Sequence, residues 1–175
     1  RRKRVGLPMV SIVGYTNAGK STLLNRMTRS DVDAEDKLFA TLDPTSRRMR
    51  FPRDREVILT DTVGFIRELP KELVQAFRST LEEVVEADLL LHVIDSSSEE
   101  AEAHHDAVEK VLRDLGVEHT SRILVLNKSD ALSSDEQESI QALFSRGISC
   151  SAHTGQGLMP LMETIEQALF DDSNT

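Results

Sequence analysis

Residues 14–22, with the sequence GYTNAGKST, constrain the fold more than any other part of the chain. They follow an apolar run at residues 8–13 and lead into STLLNRM, which is typical of the start of a helix. The pattern G-x-x-x-x-G-K-[ST] between a strand and a helix is typical of a loop whose backbone N–H groups surround a nucleotide β-phosphate. The stretch therefore predicts a fold in which a strand, this loop and a helix bind a nucleotide together.

Each residue type in this loop has a physical role. Glycines allow close approach of the backbone to phosphate, Lys20 can reach the β- and γ-phosphate oxygens, and Ser21 can ligate Mg²⁺. We therefore predict Lys20 as a catalytic residue and Ser21 as a metal ligand. The predicted nucleotide contacts in the loop are Gly14, Tyr15, Thr16, Asn17, Ala18, Gly19, Lys20, Ser21 and Thr22.

Apolar runs of strand length alternate with helical patterns along the rest of the chain. Continuous apolarity, instead of strict alternation, is what strands buried on both faces of a parallel sheet show. The predicted strands are residues 10–13, 57–60, 89–94, 123–126 and 147–150, and the predicted later helices are residues 71–86, 99–115 and 158–170. A further strand, 47–51, is joined to the next by a short turn, so we expect it to pair antiparallel. The fold class is therefore α/β, a doubly wound, mostly parallel six-stranded sheet with one antiparallel edge strand.

Composition excludes several classes of function. A net charge of −9 argues against general attraction to nucleic acid, and we predict no DNA partner. The single cysteine, Cys150, excludes an internal disulfide, is expected in the core, and favours a cytoplasmic location. The longest apolar run, residues 89–94, is far shorter than the roughly 20 residues of a membrane-spanning helix, so we expect no membrane span.

The motif DTVG follows the strand predicted at residues 57–60. Asp61 at a strand end can hold Mg²⁺ through water, and Gly64 can turn its N–H towards a γ-phosphate. This D-x-x-G pattern is weak alone, but it becomes specific when it lies at a strand end beside a phosphate loop. We therefore predict Asp61 as a metal ligand and Gly64 as a catalytic residue, with nucleotide contacts from Asp61, Thr62, Val63 and Gly64.

The motif NKSD, residues 127–130, also follows a predicted buried strand. The carboxylate of Asp130 can accept hydrogen bonds from guanine N1–H and N2–H₂, which adenine does not offer. Lys128 can lie along the base plane, and Asn127 can tie this loop to the phosphate loop. After the last strand, a turn can present backbone N–H groups to guanine O6, and it begins with Ser151, Ala152 and His153. The predicted ligand is therefore GTP or GDP.

The segments GYTNAGKST, LFATLDPT, DTVGFIRELP, AFRSTLEE, NKSD and SAHTG together resemble the GTPase domain of the HflX family. The resemblance covers nearly the whole chain, from about Pro8 to Phe170. It implies a P-loop NTPase fold of the Ras-like G-domain type and a protein that depends on GTP and Mg²⁺. It also implies that the protein associates with the large (50S) ribosomal subunit and splits or recycles ribosomes, notably in stress.

The family places further domains before and after the GTPase domain. We therefore expect an excised domain, in which residues 1–7 end an interdomain linker, residues 8–171 form the GTP-binding domain and residues 172–175 are a disordered tail. The partners implied are guanine nucleotide and the large ribosomal subunit with its rRNA, mainly through domains absent here. An arginine-rich stretch, SRRMRFPRDR at residues 46–55, is either a solvated strand face or a contact for rRNA phosphates.

The resemblance also implies two switch segments. In the first, residues 38–44, Thr41 is the expected second Mg²⁺ ligand and a catalytic residue, and Thr45 is the competing candidate. Loss of the γ-phosphate is expected to release this segment. Its expected nucleotide contacts are Phe39, Ala40, Thr41, Leu42 and Asp43. The second switch is residues 61–64.

Two further positions bear on catalysis. Phe65 stands where Ras-type enzymes carry a glutamine that orients the attacking water, so we expect slow intrinsic hydrolysis. The alternative function is a nucleotide-gated binding module for another RNA or protein, with hydrolysis incidental.

Asn17 resembles the asparagine of potassium-activated GTPases, which suggests K⁺ nearby, or it simply caps the loop backbone. The adjacent residues His104 and His105 lack metal-ligand spacing and are expected at the surface.

Overall fold

The structure is a computed structural model that describes residues 7–28, 45–51, 56–61 and 84–170, with the side chains of residues 45–47 and 61 outside the description. Its strands are β1 Met9–Gly14, β2 Thr45–Arg50, β3 Glu56–Asp61, β4 Leu89–Asp95, β5 Arg122–Asn127 and β6 Ile148–Ser149. Its helices are α1 Lys20–Thr28, α2 Ala101–Asp114, α3 Ser134–Leu143 and α4 Leu158–Phe170. Residues 84–86 are also helical, and a 3₁₀ turn covers Ser129–Ala131.

The strands form one six-stranded sheet in the order β2-β3-β1-β4-β5-β6. All neighbouring strands are parallel except β2 and β3, which run antiparallel with Thr45 opposite Asp61 and Arg50 opposite Glu56. This confirms the predicted doubly wound sheet and its antiparallel edge strand. Because β1 lies between β3 and β4, the strand order reverses at β1, and such a reversal is where doubly wound sheets bind ligands.

Parallel strands bring the predicted motifs to one edge of the sheet. Ile12 in β1 lies opposite Asp61 at the end of β3, and Asp95 at the end of β4 lies opposite Asn127 at the end of β5. The phosphate loop, Asp61 of the D-x-x-G motif and the start of NKSD therefore all lie at strand ends on the same edge of the sheet.

The central strands are buried because helices cover both faces of the sheet. On one face α1 and α4 pack Leu23, Leu24 and Ile165 against the sheet, and on the other α2 packs Val108 and Leu112. Fully burying one such side chain contributes roughly 1.5–3 kcal/mol. This apolar packing fixes the strand ends that carry the motifs.

Helix α2 ends as its sequence predicts. Gly116 adopts a φ of 77°, its N–H donates to Arg113 O at 2.9 Å, and the Val117 N–H donates to Leu112 O at 3.0 Å. This paired arrangement is the glycine-dependent Schellman end of a helix, where a side chain at the glycine position would be strained.

Helix α3 was not predicted from the sequence. None of its residues is buried, so it carries no apolar stripe of helical period. Its start is instead fixed by a capping box: Ser133 Oγ accepts the Glu136 N–H at 3.2 Å, and the Glu136 carboxylate accepts the Ser133 N–H at 2.9 Å. The sequence S-x-x-E at residues 133–136 was the signal that could have found this helix.

Several predictions lie outside the described residues. These are the first switch at residues 38–44, residues 62–64 of the second switch, Phe65, the segments 1–6 and 171–175, and most of the helix expected at 71–86. In the part of the chain that the structure describes, no helix has the length and apolarity needed to cross a membrane.

Candidate nucleotide-binding site

The phosphate loop lies between β1 and α1, and two glycines are required by its surroundings. A Cβ on Gly14 would stand 2.6 Å from the carbonyl oxygen of Val93 in the adjacent strand β4. Gly19 has a φ of 92°, and a Cβ there would stand 2.4 Å from Nδ2 of Asn127. Both positions exclude any side chain, so the loop backbone packs directly against β4 and the NKSD loop.

Lys20 and Ser21 form the first turn of α1, and both are buried, with 7% and 8% of their surface exposed. Lys20 Nζ folds back over the loop to within 3.4 Å of Tyr15 O, and the Ala18 N–H donates to the same carbonyl at 3.2 Å. The ammonium group, the hydroxyl and the N-terminus of α1 therefore lie together, as binding of a phosphate anion requires.

Asn127 connects the phosphate loop to the last turn of the site. Its Nδ2 donates to Ala18 O at 3.0 Å, and its Oδ1 accepts the Ala152 N–H at 2.9 Å. The side chain is 2% exposed, so both hydrogen bonds are shielded from water. The predicted tie between the NKSD loop and the phosphate loop is confirmed, and it extends to the SAHTG turn.

Lys128 forms a second link to the phosphate loop. Its Nζ donates to Asn17 O at 2.7 Å, and its backbone has a φ of 64°. Asn17 itself has a φ of 68° and an exposed side chain. Two residues without glycine's freedom therefore hold left-handed conformations where the two loops meet, a kind of strain that concentrates at functional sites.

Asp130 is held by the neighbouring turn. Ser151 Oγ donates to Asp130 Oδ1 at 2.8 Å and accepts the Thr154 N–H at 3.0 Å. The strand β6 brings the two loops together, since the Ser129 N–H donates to Cys150 O at 3.1 Å. One carboxylate oxygen of Asp130 is thus fixed by Ser151, which orients the group predicted to read guanine.

Arg26 of α1 is a functional candidate that the sequence did not suggest. Its Nε donates to Ala152 O at 3.1 Å and one of its terminal nitrogens donates to His153 O. The guanidinium group therefore holds the backbone of the turn predicted to face guanine O6. No spacing rule links residues 26 and 152, so only the structure finds this contact.

Ser96, directly after β4, was also not predicted from the sequence. Its backbone N–H donates to Asn127 O at 3.1 Å and its Oγ donates to the same carbonyl. We use the term base-side network for the residues whose side chains hold the NKSD loop and the SAHTG turn in place: Arg26, Asp95, Ser96, Asn127, Lys128, Asp130 and Ser151.

The prediction that His104 and His105 are surface residues was only partly correct, because both are half-buried where α2 packs against the sheet. The His104 ring stacks on Tyr15 of the phosphate loop, with centroids 3.8 Å apart, and the His105 ring stacks on His92 at 5.1 Å. A cavity of about 220 Å³ lies here, and its lining includes Tyr15, Asn17, Asp95 and His104.

A titratable group of side chains adjoins this cavity through His92, which lines it, and we call His92, His105, Glu109 and Arg122 the histidine cluster. His92 Nδ1 lies 2.9 Å from one oxygen of Glu109, and Arg122 donates to the other at 2.8 Å. Burial lowers the pKa of His92, against the opposing effect of Glu109. Burial alone would raise the pKa of Glu109, but His92 and Arg122 together lower it to about 2.

The residues predicted to ligate Mg²⁺ offer the oxygen donors that this ion prefers. Ser21 lies in the first turn of α1, and the backbone of Asp61 ends β3 beside Ile12 of the neighbouring strand. Thr45 begins β2 opposite Asp61, whereas its competitor Thr41 lies outside the described residues. The hydroxyl and carboxylate donor set fits Mg²⁺.

Cys150 is the core residue that the sequence predicted. Its side chain is 1% exposed within the main apolar cluster, and burial raises the pKa of its thiol to about 12. The thiol is therefore neutral at physiological pH and takes no part in the site.

A phosphate loop at the end of β1, an acid at the end of β3 and a guanine-type motif at the end of β5 on this sheet define a P-loop GTPase domain. A family model described as "50S ribosome-binding GTPase" matches residues 9–128, which is most of the chain. GTPase HflX of Caldanaerobacter subterraneus subsp. tengcongensis is 57% identical over 173 residues, covering 99% of this chain and 39% of that protein. The chain therefore belongs to the HflX family of GTPases.

Two further comparisons agree with this assignment. GTPase HflX of Escherichia coli is 44% identical over 175 residues, covering 96% of this chain and 40% of that protein. A GTP-binding protein from the archaeon Sulfolobus solfataricus, solved in complex with GDP, has a TM-score of 0.66 and 32% identity, covering 92% of this chain and 52% of that chain. The chain thus spans about two fifths of the length of the HflX relatives that it matches.

Proposed function

We propose that this chain binds GTP and hydrolyses it slowly to GDP and phosphate, as the GTPase domain of a protein that acts on the large ribosomal subunit. The observation that carries the proposal is the position of Asn127, whose side chain contacts both the phosphate loop and the SAHTG turn. It makes the phosphate-binding and guanine-binding motifs one continuous surface at the carboxyl edge of the sheet.

At the phosphate end, Lys20 neutralises the β- and γ-phosphates, and Ser21 and Asp61 hold Mg²⁺. When bound, Mg²⁺ screens the charge that develops on the phosphate oxygens. Thr41 and Gly64 are the proposed sensors of the γ-phosphate, in the two switch segments. Support comes from the burial of Lys20 and Ser21 at the N-terminus of α1, where the helix dipole favours an anion.

At the guanine end, Asp130 accepts hydrogen bonds from the base, and Lys128 packs along its plane. Support comes from Ser151, which occupies one oxygen of Asp130 and so sets the direction of the other. The Ala152 N–H already donates to Asn127, so we propose that guanine O6 shares this donor or takes the neighbouring His153 N–H.

We further propose that Asn17 helps to hold K⁺ beside the phosphates. Support comes from its exposed side chain and from the Lys128 ammonium group bound to its carbonyl, which fixes the backbone from which that side chain projects. Faster GTP turnover in K⁺ than in Na⁺ is the expected result, and equal turnover would contradict the cation role.

The proposed ribosomal partner is reached mainly through parts of the longer relatives that this chain does not cover. The name of the matching family model supports the partner. On this domain, Arg48 and Arg50 of the edge strand β2 are exposed, although Arg50 pairs with Glu56 at 3.1 Å. Changing both arginines to glutamate in a full-length parent should weaken ribosome association, and unchanged association would contradict an rRNA contact.

The experiment that tests the function is single-turnover GTP hydrolysis in K⁺ buffer, by this chain and by a full-length parent, each with and without large ribosomal subunits. We expect slow turnover by both proteins alone, and stimulation of the parent by the subunit, because Phe65 cannot orient the attacking water. Asp130→Asn is the specificity control, since it should weaken GTP binding while Lys20 and Ser21 stay intact. Binding without stimulation of either protein would favour the alternative function, a nucleotide-gated binding module.

A further inference from the structure

The residues at the end of β4 and directly after it pack against the NKSD loop although they belong to no recognised motif. Asp95 and Asn127 lie opposite each other in the register of β4 and β5, and Ser96 donates twice to Asn127 O. The end of β4 therefore supports the segment that is proposed to read guanine.

The two carboxylate oxygens of Asp95 have different partners. Oδ1 accepts the Ser97 N–H at 2.9 Å and the Ser97 hydroxyl at 2.5 Å, which fixes the orientation of the carboxylate. Oδ2 lies 3.3 Å from Lys128 Nζ. Because the same Nζ donates to Asn17 O at 2.7 Å, the lysine head is held between a carboxylate and a carbonyl of the phosphate loop.

We propose that Asp95 is a positioning residue for guanine nucleotide binding and that it acts through Lys128. A free lysine side chain has about 2 kcal/mol of rotamer entropy, which must be lost when its stem lies along a base. Lys128 is 33% exposed at its side chain, so packing alone does not hold it. The Asp95 carboxylate holds the ammonium group before the nucleotide arrives.

Asp95 is well placed for this role because its own position does not depend on Lys128. Residues 89–94 of β4 are buried, and Ser97 binds the carboxylate oxygen that Lys128 does not contact. An asparagine at position 95 can still accept from Ser97 through its amide oxygen, but it loses the charge that attracts the ammonium group. The substitution Asp95→Asn therefore removes the interaction with Lys128 while leaving an acceptor for Ser97.

This inference rests on the proposed guanine-nucleotide site, and its test measures dissociation of a fluorescent GDP analogue from the 175-residue chain. We expect Asp95→Asn to release the analogue about fivefold faster, which corresponds to about 1 kcal/mol for a partly exposed pair. In Na⁺ buffer, where the proposed K⁺ effect of Asn17 is absent, the KM for GTP should rise by a similar factor while kcat stays nearly constant, because Asp95 acts on the lysine that is proposed to lie along the base.

A double-mutant cycle separates positioning from a merely structural role. Lys128→Met alone should accelerate release, and adding Asp95→Asn to it should change little, since the partner of Asp95 is already gone. Glu99→Gln is the matched control, because Glu99 is an exposed acid on the same loop and its loss removes the same charge. It should leave release unchanged.

The outcomes divide cleanly. Unchanged release by Asp95→Asn, or an equal acceleration in the Lys128→Met background, would overturn the positioning role while the proposed function stands. Failure of the unsubstituted chain to bind the GDP analogue would overturn the proposed function and this inference together.

Discussion

The base-side network and the histidine cluster both tie loops and helices to strand β4, but they differ in what holds them. In the base-side network most acceptors are backbone carbonyls, such as Ala18 O, Asn17 O and Ala152 O. In the histidine cluster the central contacts join ionisable side chains, with Glu109 between His92 and Arg122. The first network lies at the carboxyl edge of the sheet, and the second lies between the sheet and α2.

This difference separates binding from stability. Backbone carbonyls do not titrate, and neither do amide donors or arginine near neutral pH, and lysine stays charged there. The base-side network should therefore hold the nucleotide loops at any physiological pH. A buried histidine that stays neutral when folded makes folding stability fall in acid. We therefore expect substitutions in the first network to affect nucleotide affinity and substitutions in the second to affect the pH dependence of unfolding.

The largest effect is expected from Asn127→Ala. The change leaves Ala18 O and the Ala152 N–H without a buried partner, and each unsatisfied group costs about 1–3 kcal/mol. We expect GDP affinity, measured by calorimetry, to fall at least about 30-fold.

The matched control for Asn127→Ala is Gln137→Ala. Its amide also supports this loop, through Ser129 O at 3.0 Å, but it does not reach the phosphate loop. Equal losses of GDP affinity in the two variants would contradict a specific role for the Asn127 bridge between the two nucleotide loops. General loosening of the NKSD loop would then explain the loss.

A smaller effect is expected from Arg26→Ala. The SAHTG turn loses two donors to its carbonyls, but α1 keeps its buried face. We expect about tenfold weaker GDP binding, because hydrogen bonds from charged groups are worth about 1.5–3 kcal/mol and this residue is partly in water. Arg26→Lys should keep little of the GDP affinity, since an ammonium group cannot donate to both carbonyls with the forked geometry of a guanidinium group.

The comparison variant for Arg26 is Arg113→Ala, which removes an exposed arginine from the last turn of α2. It should leave GDP affinity unchanged. Full affinity in Arg26→Ala would show that the turn holds its shape without the guanidinium group.

The sequence predicted the strands and the positions of the phosphate-loop and NKSD motifs at their ends, because both depend on local patterns. Continuous apolar runs mark buried parallel strands, and the motif beginning at Gly14 fixes where the first strand ends. Arg26 and Asp95 were not predicted, because their partners lie 126 and 33 residues away and any surface arginine or aspartate looks alike in sequence. Contacts between loops depend on which strand ends lie side by side. The sequence predicts the fold class but not these individual contacts.

For His104 and His105 the sequence did give a prediction, but their surroundings in the structure differ from it. Within a single helix, adjacent residues such as His104 and His105 do not share a face, so their spacing does not predict that both meet the sheet. In the structure α2 packs beside β1 and β4, so His104 meets Tyr15 and His105 meets His92. In addition, ligand atoms of His92, His105 and Glu109 lie within 4.8 Å of one another, a grouping that requires the strand as well as the helix.

The smallest effect on nucleotide affinity is expected from His92→Leu, whose main consequence concerns acid stability. Burial lowers the pKa of His92 below the unfolded value of 6.5, while Glu109, His105 and Arg122 are the ionisable groups that face it. Below pH 6.5 the histidine is therefore protonated in the unfolded chain but stays neutral in the folded chain. The free energy of unfolding then falls by up to about 1.4 kcal/mol per pH unit. The pKa of Glu109 is lowered to about 2, so its ionised carboxylate stabilises the fold above pH 4.5. That contribution to folding stability is lost only as the pH falls below 4.5 and the carboxylate is protonated.

His92→Leu should therefore flatten the decline of the unfolding temperature between pH 6.5 and pH 5, measured by calorimetry without nucleotide. Its GDP affinity at pH 7.5 should stay within about twofold of that of the unsubstituted chain, since no base-side contact is removed. His119→Leu is the control, because that side chain is 95% exposed and its removal should leave the slope unchanged. An unchanged slope in His92→Leu would mean that the acid sensitivity lies elsewhere, and the proposed division between binding and stability would fail on its stability side.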